Sequence, residues 1–314
     1  MLPSPMFDPL TRAAIRSGSD KYGGHLYTPI YHQLFGHLRE APLKLLEIGV
    51  GGYESERAGG LGLKMWAAYF PNATITGLDI QPKKLALPPR IRVVQGSQID
   101  HALLARLNQE SGPFDIIIDD GSHLVAHMIA TFRTLYPLMA PDGIYAIEDT
   151  QTSFMPALGG RPDGSGTVFH LANAVSLAMH KAEGFKPAQP AADLDRLGAM
   201  TKSVSVFRNI VVFQRGANTY PSNHGLDLAD PQVRAVFDGI AAADARDPTP
   251  GGALSRIDML IWAGRYEEAG ALAAQAAAQY PQDAAFLNEL VRMMEWAKLG
   301  HRRAEIAARL DKAA

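Results

Sequence analysis

The sequence predicts an α/β fold: a Rossmann-like, doubly wound, mostly parallel sheet with helices on both faces, followed by a small C-terminal α-helical extension. Three observations carry this. Short apolar runs alternate five times with segments of helical spacing. Those runs tend to stop at glycine turns or acidic residues. Finally, 47% of the 314 residues are apolar against 20% charged, enough to fill a layered core.

Residues 1–40 read as a lead-in with a helix over Ile30–Glu40. Leu43–Val50 is an apolar strand, punctuated by Gly51-Gly52. Leu61–Tyr69 has helical spacing, and Thr74–Ile80 is a β-branched strand ending at Asp79. Ile91–Gln95 is the third strand and Ala102–Glu110 the next helix. Phe114–Ile118 is the fourth strand, ending in Asp119-Asp120-Gly121. Ala126–Leu138 is helical, stopped by Pro141-Asp142-Gly143, and Ile144–Ile147 is the fifth strand, ending in Glu148-Asp149. Ala172–His180 reads as a helix, and Val204–Gln214 as an antiparallel hairpin broken near Arg208-Asn209.

The core domain is therefore placed at 41–232 and a linker at 233–252, marked by Asp247-Pro-Thr-Pro-Gly-Gly252. Residues 253–314 form the extension. Leu254–Ala263 and Tyr266–Gln279 pair around Gly264-Arg265, and Pro281 opens a further helix through Trp296. Gly264, Tyr266, Ala269 and Pro281 sit near the offsets of a tetratricopeptide unit. One copy also fits a helical cap packed on the core.

Composition removes several function classes. There is no cysteine, so disulfide scaffolds, thiolate metal sites and cysteine nucleophiles are excluded. A net charge of -2 lacks the basic excess of a nucleic-acid binder. Met1–Pro9 carries three prolines and no apolar signal region, and no apolar run reaches the length of a membrane span. The expected location is cytoplasmic.

In an open parallel sheet, ligands bind beyond the carboxyl ends of the strands. The first strand ends in Glu47-Ile-Gly49-Val-Gly51-Gly52-Tyr53, where glycines allow close backbone approach. The second ends in Asp79, whose carboxylate can accept from both hydroxyls of a ribose; a capping or turn aspartate is the plainer alternative. A pyrophosphate-binding turn would want Gly-x-Gly-x-x-Gly, but Glu54 stands at the third glycine. That favours a nucleoside without pyrophosphate over a dinucleotide. Asp119-Asp120-Gly-Ser-His123 and Glu148-Asp149-Thr150 follow strands expected to be neighbours. Carboxylates converging there repel unless a cation or proton separates them, and hard oxygen ligands suit Mg²⁺ or a similar ion. His123 could reach the same pocket as a general base. The plainer alternatives are two separately capped loops and a histidine bonded to a carbonyl.

These segments, with Gly77-Leu-Asp79-Ile80, Val94-Gln-Gly-Ser97-Gln98 and Ile147-Glu-Asp-Thr150, resemble class I S-adenosylmethionine-dependent methyltransferases. More narrowly they resemble metal-dependent sugar O-methyltransferases of macrolide biosynthesis. Ser19-Asp20-Lys21, His25-Leu-Tyr27-Thr-Pro29, Asn209–Phe213 and Tyr220-Pro-Ser-Asn223 share that likeness, which covers roughly residues 17 to 230. The resemblance implies that Glu47, Gly49, Gly51, Gly52 and Tyr53 cradle the amino-acid part of S-adenosylmethionine. Asp79 would hold the ribose, and Ser97 and Gln98 would flank the adenine, with Tyr27 and Asp120 also in contact. Asp120, Glu148 and Asp149 would bind Mg²⁺, with Asp120 and His123 as the catalytic pair and His123 taking the proton. The expected partner is a small-molecule glycoside or polyol acceptor, with no nucleic acid and no membrane; a homo-oligomer and protein contact through the C-terminal helices are allowed. A cephalosporin-hydroxylase-like relative acting on a non-sugar hydroxyl, and a cofactor-fold binding protein, stay open as alternatives.

Overall fold

A computed structural model describes residues 7–181, 184–186, 192–217 and 225–313. Tyr220–Asn223 and the first six residues lie outside the described residues. The chain divides into two compact units, Met1–Thr219 and Tyr220–Ala314.

In the first unit, α1 (Pro9–Ser17) and α2 (Thr28–Phe35) precede β1 (Lys44–Ile48). Next come α3 (Leu61–Tyr69), β2 (Thr74–Asp79), β3 (Ile91–Gln95), α4 (His101–Ser111) and β4 (Ile116–Asp119). Then follow α5 (Val125–Leu135), β5 (Ile144–Ile147), α6 (Val168–Ala178), α7 (Ala192–Ala199), β6 (Thr201–Phe207) and β7 (Ile210–Arg215). Among the described residues the strands form one sheet, ordered β3-β2-β1-β4-β5-β7-β6. β1 to β5 are parallel, and β7 runs antiparallel to both β5 and β6. The order reverses between β1 and β4, which opens the crevice where such sheets bind ligands.

Every strand is a two-sided wedge. Leu45, Ile116, Ile118, Ile144 and Ala146 pack with α1, α2 and α3 on one face. Leu46, Ile117, Tyr145, Ile147, Val211 and Phe213 pack with α4, α5 and α6 on the other. This parity follows from the period-two pleat and decides which strand-end acids meet which helices.

The expected helix Ile30–Glu40 starts earlier, at Thr28, because Pro29 suits a first helical turn, and it tightens to a 3-10 turn at Gly36–Leu38. The hairpin turns at Asn209, whose φ of 67° lies in the left-handed region. Helices α1 and α7 had no reading in the sequence.

The second unit holds α8 (Pro231–Arg246), α9 (Pro250–Trp262), α10 (Tyr266–Gln279), α11 (Ala284–Trp296) and α12 (Gly300–Ala313). Most of the stretch read as a linker, 233–252, is thus helical. Asp230 caps α8 through the amides of Gln232 and Val233, and Pro231 sits in its first turn. Its side chains are at most partly buried, so it carried little apolar pattern to read. The second helix pair begins 34 residues after the first, Ala284 against Pro250 and Gly300 against Tyr266. The turns match too: Gly264 and Lys298, also 34 apart, both have positive φ. A second helical hairpin of the same period thus stands where the sequence showed one. No helix among the described residues is long and apolar enough to cross a membrane.

The close approach of the turns that follow β1 and β4 rests on Gly49. Its φ is 87°, and a methyl group there would lie 1.9 Å from the Asp120 carbonyl oxygen. Gly49→Ala therefore has both a backbone and an overpacking penalty. We expect a loss of about 3 kcal/mol of unfolding free energy in a urea titration. A loss under about 0.5 kcal/mol would mean that the two turns can separate freely.

Candidate active site

The cleft at the carboxyl ends of β1, β2 and β4 has a volume of about 770 Å³, within the range of small-molecule sites. Gly49, Gly51, Gly52 and Tyr53 line it from the first turn, and Asp79, Ser97, Gln98, Asp120, His123 and Asp149 from the other strand ends. Asp20, His25 and His127 also reach it. Asp79 is oriented by two backbone amides, Val50 N at 2.9 Å on Oδ2 and Gln81 N at 2.8 Å on Oδ1. The carboxylate is thereby fixed, with lone pairs left for a ligand.

Adjacent acids at the end of β4 part company. Asp119 is buried on the α5 face, accepting from Gln98 Nε2 at 3.1 Å and Tyr145 Oη at 3.0 Å. Burial pushes its pKa up to about 7 despite those donors. Gln98 also donates to Thr131 Oγ1 and accepts from the Ser122 amide at 2.7 Å. Its side chain thus knits the loop after β4 to the sheet while its edge lines the cleft. Asp120, one residue on, faces the opposite way, toward the α1–α2 side.

There it meets Lys21. This ammonium is buried, 2.7 Å from Asp120 Oδ2, 2.9 Å from Glu148 Oε2 and 3.4 Å from Glu47 Oε1. Burial alone would lower the lysine pKa, but the charges of Asp120, Glu148 and Glu47 outweigh it and lift it well above its ordinary value. Glu47 lies beneath the cleft rather than on its wall, accepting from Trp66 Nε1 at 3.2 Å. Burial raises its pKa to about 7. Glu148 is likewise enclosed. Tyr31 Oη donates to its Oε1 at 2.7 Å and Lys21 holds the other oxygen, while burial raises its pKa.

Asp149 completes the rim. Its φ of 51° is left-handed, as is the 57° of His123. Such backbone costs of order 1 kcal/mol or more for a residue with a side chain, and it gathers at functional sites. Tyr27 Oη donates to Asp149 Oδ1 at 2.6 Å, and Gln151 Nε2 donates to the same oxygen at 3.2 Å. Burial would raise the Asp149 pKa, but these donors and the nearby His123 and His25 hold it below the usual value. His123 Nε2 lies 3.5 Å from Asp149 Oδ2 and 3.9 Å from Asp120 Oδ1. Asp120, His123 and Asp149 offer ligand atoms all within 4.8 Å of one another.

The structure therefore brings Asp120, Asp149 and His123 together at the cleft, with Gly49, Gly51, Gly52, Tyr53, Asp79, Ser97 and Gln98 along its wall. Glu47, Tyr27 and Glu148 stand behind that wall and act on it through hydrogen bonds and charge. Lys21, Tyr31, Asp20 and His25 had no role in the sequence reading. The signal for Lys21 was indirect: acids at the ends of three neighbouring strands require a buried counter-charge.

A seven-stranded sheet with one reversed strand near its edge, an acid at the second strand end and an acidic rim defines the class I methyltransferase fold. No family model matches the chain. It is 41% identical over 215 residues to the 8-demethyl-8-(2-methoxy-α-L-rhamnosyl)-tetracenomycin-C 3'-O-methyltransferase of Streptomyces olivaceus, covering 67% of this chain and 54% of that protein. To the mycinamicin VI 2''-O-methyltransferase of Micromonospora griseorubida it is 37% identical over 213 residues, covering 67% and 53%. Among solved structures, the MycE methyltransferase of the mycinamycin biosynthetic pathway, in complex with Mg, SAH and mycinamycin VI, matches with a TM-score of 0.62. That match is 34% identical and covers 68% of this chain and 57% of MycE. The resemblance carried by the sequence motifs is thus borne out: the chain is a methyltransferase-fold homologue of sugar O-methyltransferases. It spans about half the length of the curated relatives it matches.

Lys21→Met should cost about 3 to 5 kcal/mol of unfolding free energy near pH 8, since it strands buried carboxylates. The deficit should shrink as the pH falls. Carboxyls whose folded pKa is raised, as Glu47 and Glu148 are, take up protons in the folded state first, and stability from that uptake is lost as pH rises through the folded pKa. Urea titrations with chelator at pH 6 and pH 8 check this; equal deficits at both would contradict it.

Proposed function

We propose that this chain is a Mg²⁺-dependent O-methyltransferase that moves a methyl group from S-adenosylmethionine to a hydroxyl of a sugar or other polyhydroxylated natural product. The observation that carries the reading is the convergence of Asp120, His123 and Asp149 in the cleft whose other wall holds the glycine turn and Asp79. The donor set suits the ion. Asp120 Oδ1 and Asp149 Oδ2 carry no hydrogen bond among the described residues, and both face His123. The two hard oxygens suit a small hard cation such as Mg²⁺, and the imidazole beside them is left to serve as a base. Glu148 adds a third carboxylate immediately behind Asp120, so the expected set of Asp120, Glu148 and Asp149 stays in the proposal. Glu148 contributes chiefly charge while Lys21 and Tyr31 hold its oxygens.

When bound, the cation supplies positive charge beside the acceptor hydroxyl and eases loss of its proton. S-adenosylmethionine supplies the electrophilic methyl group. The chain does the rest. Asp79 orients a ribose, Gly49 and Gly51 let the ligand approach the backbone, and Ser97 lies where the adenine edge would pass. His123 Nε2 takes the proton, since it is the ring atom facing the rim carboxylates, and Asp120 and Asp149 stabilise the imidazolium that results. A second reading makes His123 a ligand of the cation, favoured by its place in the 4.8 Å group.

For the rest of the chain, we propose that the two C-terminal helix pairs are tetratricopeptide-like and serve protein contact or self-association. Trp262 and Trp296 support this: they sit 34 residues apart, stay partly exposed and lie 5.1 Å apart by ring centroids, beside a groove between α9 and α11. A cytoplasmic location belongs to the same proposal.

Asp79→Ala should weaken S-adenosylmethionine binding by about 1 to 3 kcal/mol in calorimetry; unchanged affinity in the folded variant would remove Asp79 from the site. Turnover on a candidate glycoside should vanish with chelator and return with Mg²⁺, and full activity after exhaustive chelation would reduce the rim to loop capping. His123→Ala should lower turnover about 10² to 10⁴-fold while leaving cation affinity intact. A parallel loss of cation affinity would make His123 a ligand.

A further inference from the structure

The two rim carboxylates share a pattern. One oxygen of each is tied back, and the other is free. Asp120 Oδ2 accepts from Lys21 at 2.7 Å, and Asp149 Oδ1 accepts from Tyr27 at 2.6 Å. The free partners, Asp120 Oδ1 and Asp149 Oδ2, are the two oxygens that face His123 Nε2.

Both of these ties come from one short segment, and Gln151 Nε2 adds a longer bond of 3.2 Å to Asp149 Oδ1. Tyr22 and Leu26 form an antiparallel bridge, and the Tyr27 amide donates to the Lys21 carbonyl at 3.0 Å. Lys21 and Tyr27 are therefore the two feet of a tight loop, six residues apart in sequence and side by side in space. The loop itself is anchored. The Ser19 amide caps α1 through the Ala14 carbonyl, and Thr28 Oγ1 bonds Thr11 Oγ1 at 2.7 Å in a buried position. His25 stacks on Tyr27 with ring centroids 4.6 Å apart. Both donors are at most 3% exposed, so water cannot easily replace them.

We propose that Lys21 and Tyr27 are positioning residues for the cation site: each holds one oxygen of a rim carboxylate, so that the remaining two are presented, one from each acid, at a fixed separation. This rests on the reading of the rim as a cation site. The physical reason is pre-organisation. Two like-charged carboxylates left free would rotate apart, and the ion would have to draw them together when it binds. With one oxygen of each already committed, that rearrangement is done by the fold. Partners of this kind, one shell out from the ligands, typically govern metal affinity 10- to 100-fold. They also favour an ion that demands fixed geometry over one that tolerates a loose cage.

The test is calorimetric titration of Mn²⁺ and Ca²⁺ into chelator-treated full-length protein without S-adenosylmethionine. Tyr27→Phe removes one hydroxyl and keeps the ring. It should bind Mn²⁺ about 10- to 100-fold more weakly, with a smaller loss for Ca²⁺, so the preference for Mn²⁺ narrows. A thermal midpoint in chelator within a few degrees of wild type shows that the fold is intact. Lys21→Arg keeps the charge but spreads it over a planar fork; it should also narrow the Mn²⁺ preference, and it serves if Tyr27→Phe does not fold. Mn²⁺ affinity within twofold of wild type and an unchanged Mn²⁺ to Ca²⁺ ratio would overturn the proposal. Wild-type protein that binds neither ion would instead overturn the cation site on which it rests, a result visible before any variant is made.

Discussion

One buried ammonium organises this molecule. Lys21 comes from the segment before the first strand, and the carboxylates it touches come from the ends of β1, β4 and β5. None of these groups could be enclosed alone. A lone buried charge costs several kcal/mol even after relaxation, whereas one enclosed among opposite charges and donors is tolerated. The ion cluster therefore couples two things that sequence distance separates: docking of the N-terminal helices and alignment of the strand ends. A strand end out of register, or a displaced N-terminal loop, would leave uncompensated charge in the core.

Pleat parity explains why these acids meet. Glu47 continues the row of Leu45, Asp120 that of Ile118, and Glu148 that of Ala146, all rows packed under α1 to α3. Asp119 continues the row of Ile117 and falls on the other face, where Gln98 and Tyr145 receive it. Because β1, β4 and β5 are parallel and in step, three acids of one parity converge on one point. Asp149 has the wrong parity for that cluster. Its left-handed backbone turns it back to the rim, where Tyr27 meets it. His123 shares that left-handed backbone, and its Nε2 lies 3.5 Å from Asp149 Oδ2.

The sheet was legible because its signals are local. The apolar run Ile144–Ile147 and the β-branched segment Thr74–Ile80 fall on observed strands, the second one residue past its end, and Leu61–Tyr69 matches α3 residue for residue. Asp120, His123, Asp149 and Asp79 were legible because strand ends in this topology point at the crevice. What escaped was non-local or weakly amphipathic. Lys21 is distant in sequence from its partners, and nothing within its own neighbourhood marks it as buried. Glu148 read as a rim acid because adjacent residues are indistinguishable until the pleat is known. Helix α8 escaped because it buries little, so its capping aspartate and proline, Asp230 and Pro231, were the only strong cues. The second helical repeat escaped for a related reason: Arg303 stands near where Ala269 lies in the first copy, and the likeness resides in helix lengths and turns more than in side chains.

The paired acids at β4 and β5 also show how one sequence device yields two physical outcomes. In Asp119-Asp120 and Glu148-Asp149, the first residue of each pair is buried and fully engaged, and the second is only partly covered and keeps an oxygen free. The engaged members, Asp119 and Glu148, have pKa values raised by burial, while donors and nearby imidazoles hold Asp149 low and charged. Burial thus opposes ionisation at the back of the rim, at Asp119 and Glu148, while hydrogen-bond donors and imidazoles favour it at Asp149 on the front. The contrast arises from the burial of Asp119 and Glu148, which their donors only partly offset, and from the donors Tyr27 and Gln151 on Asp149.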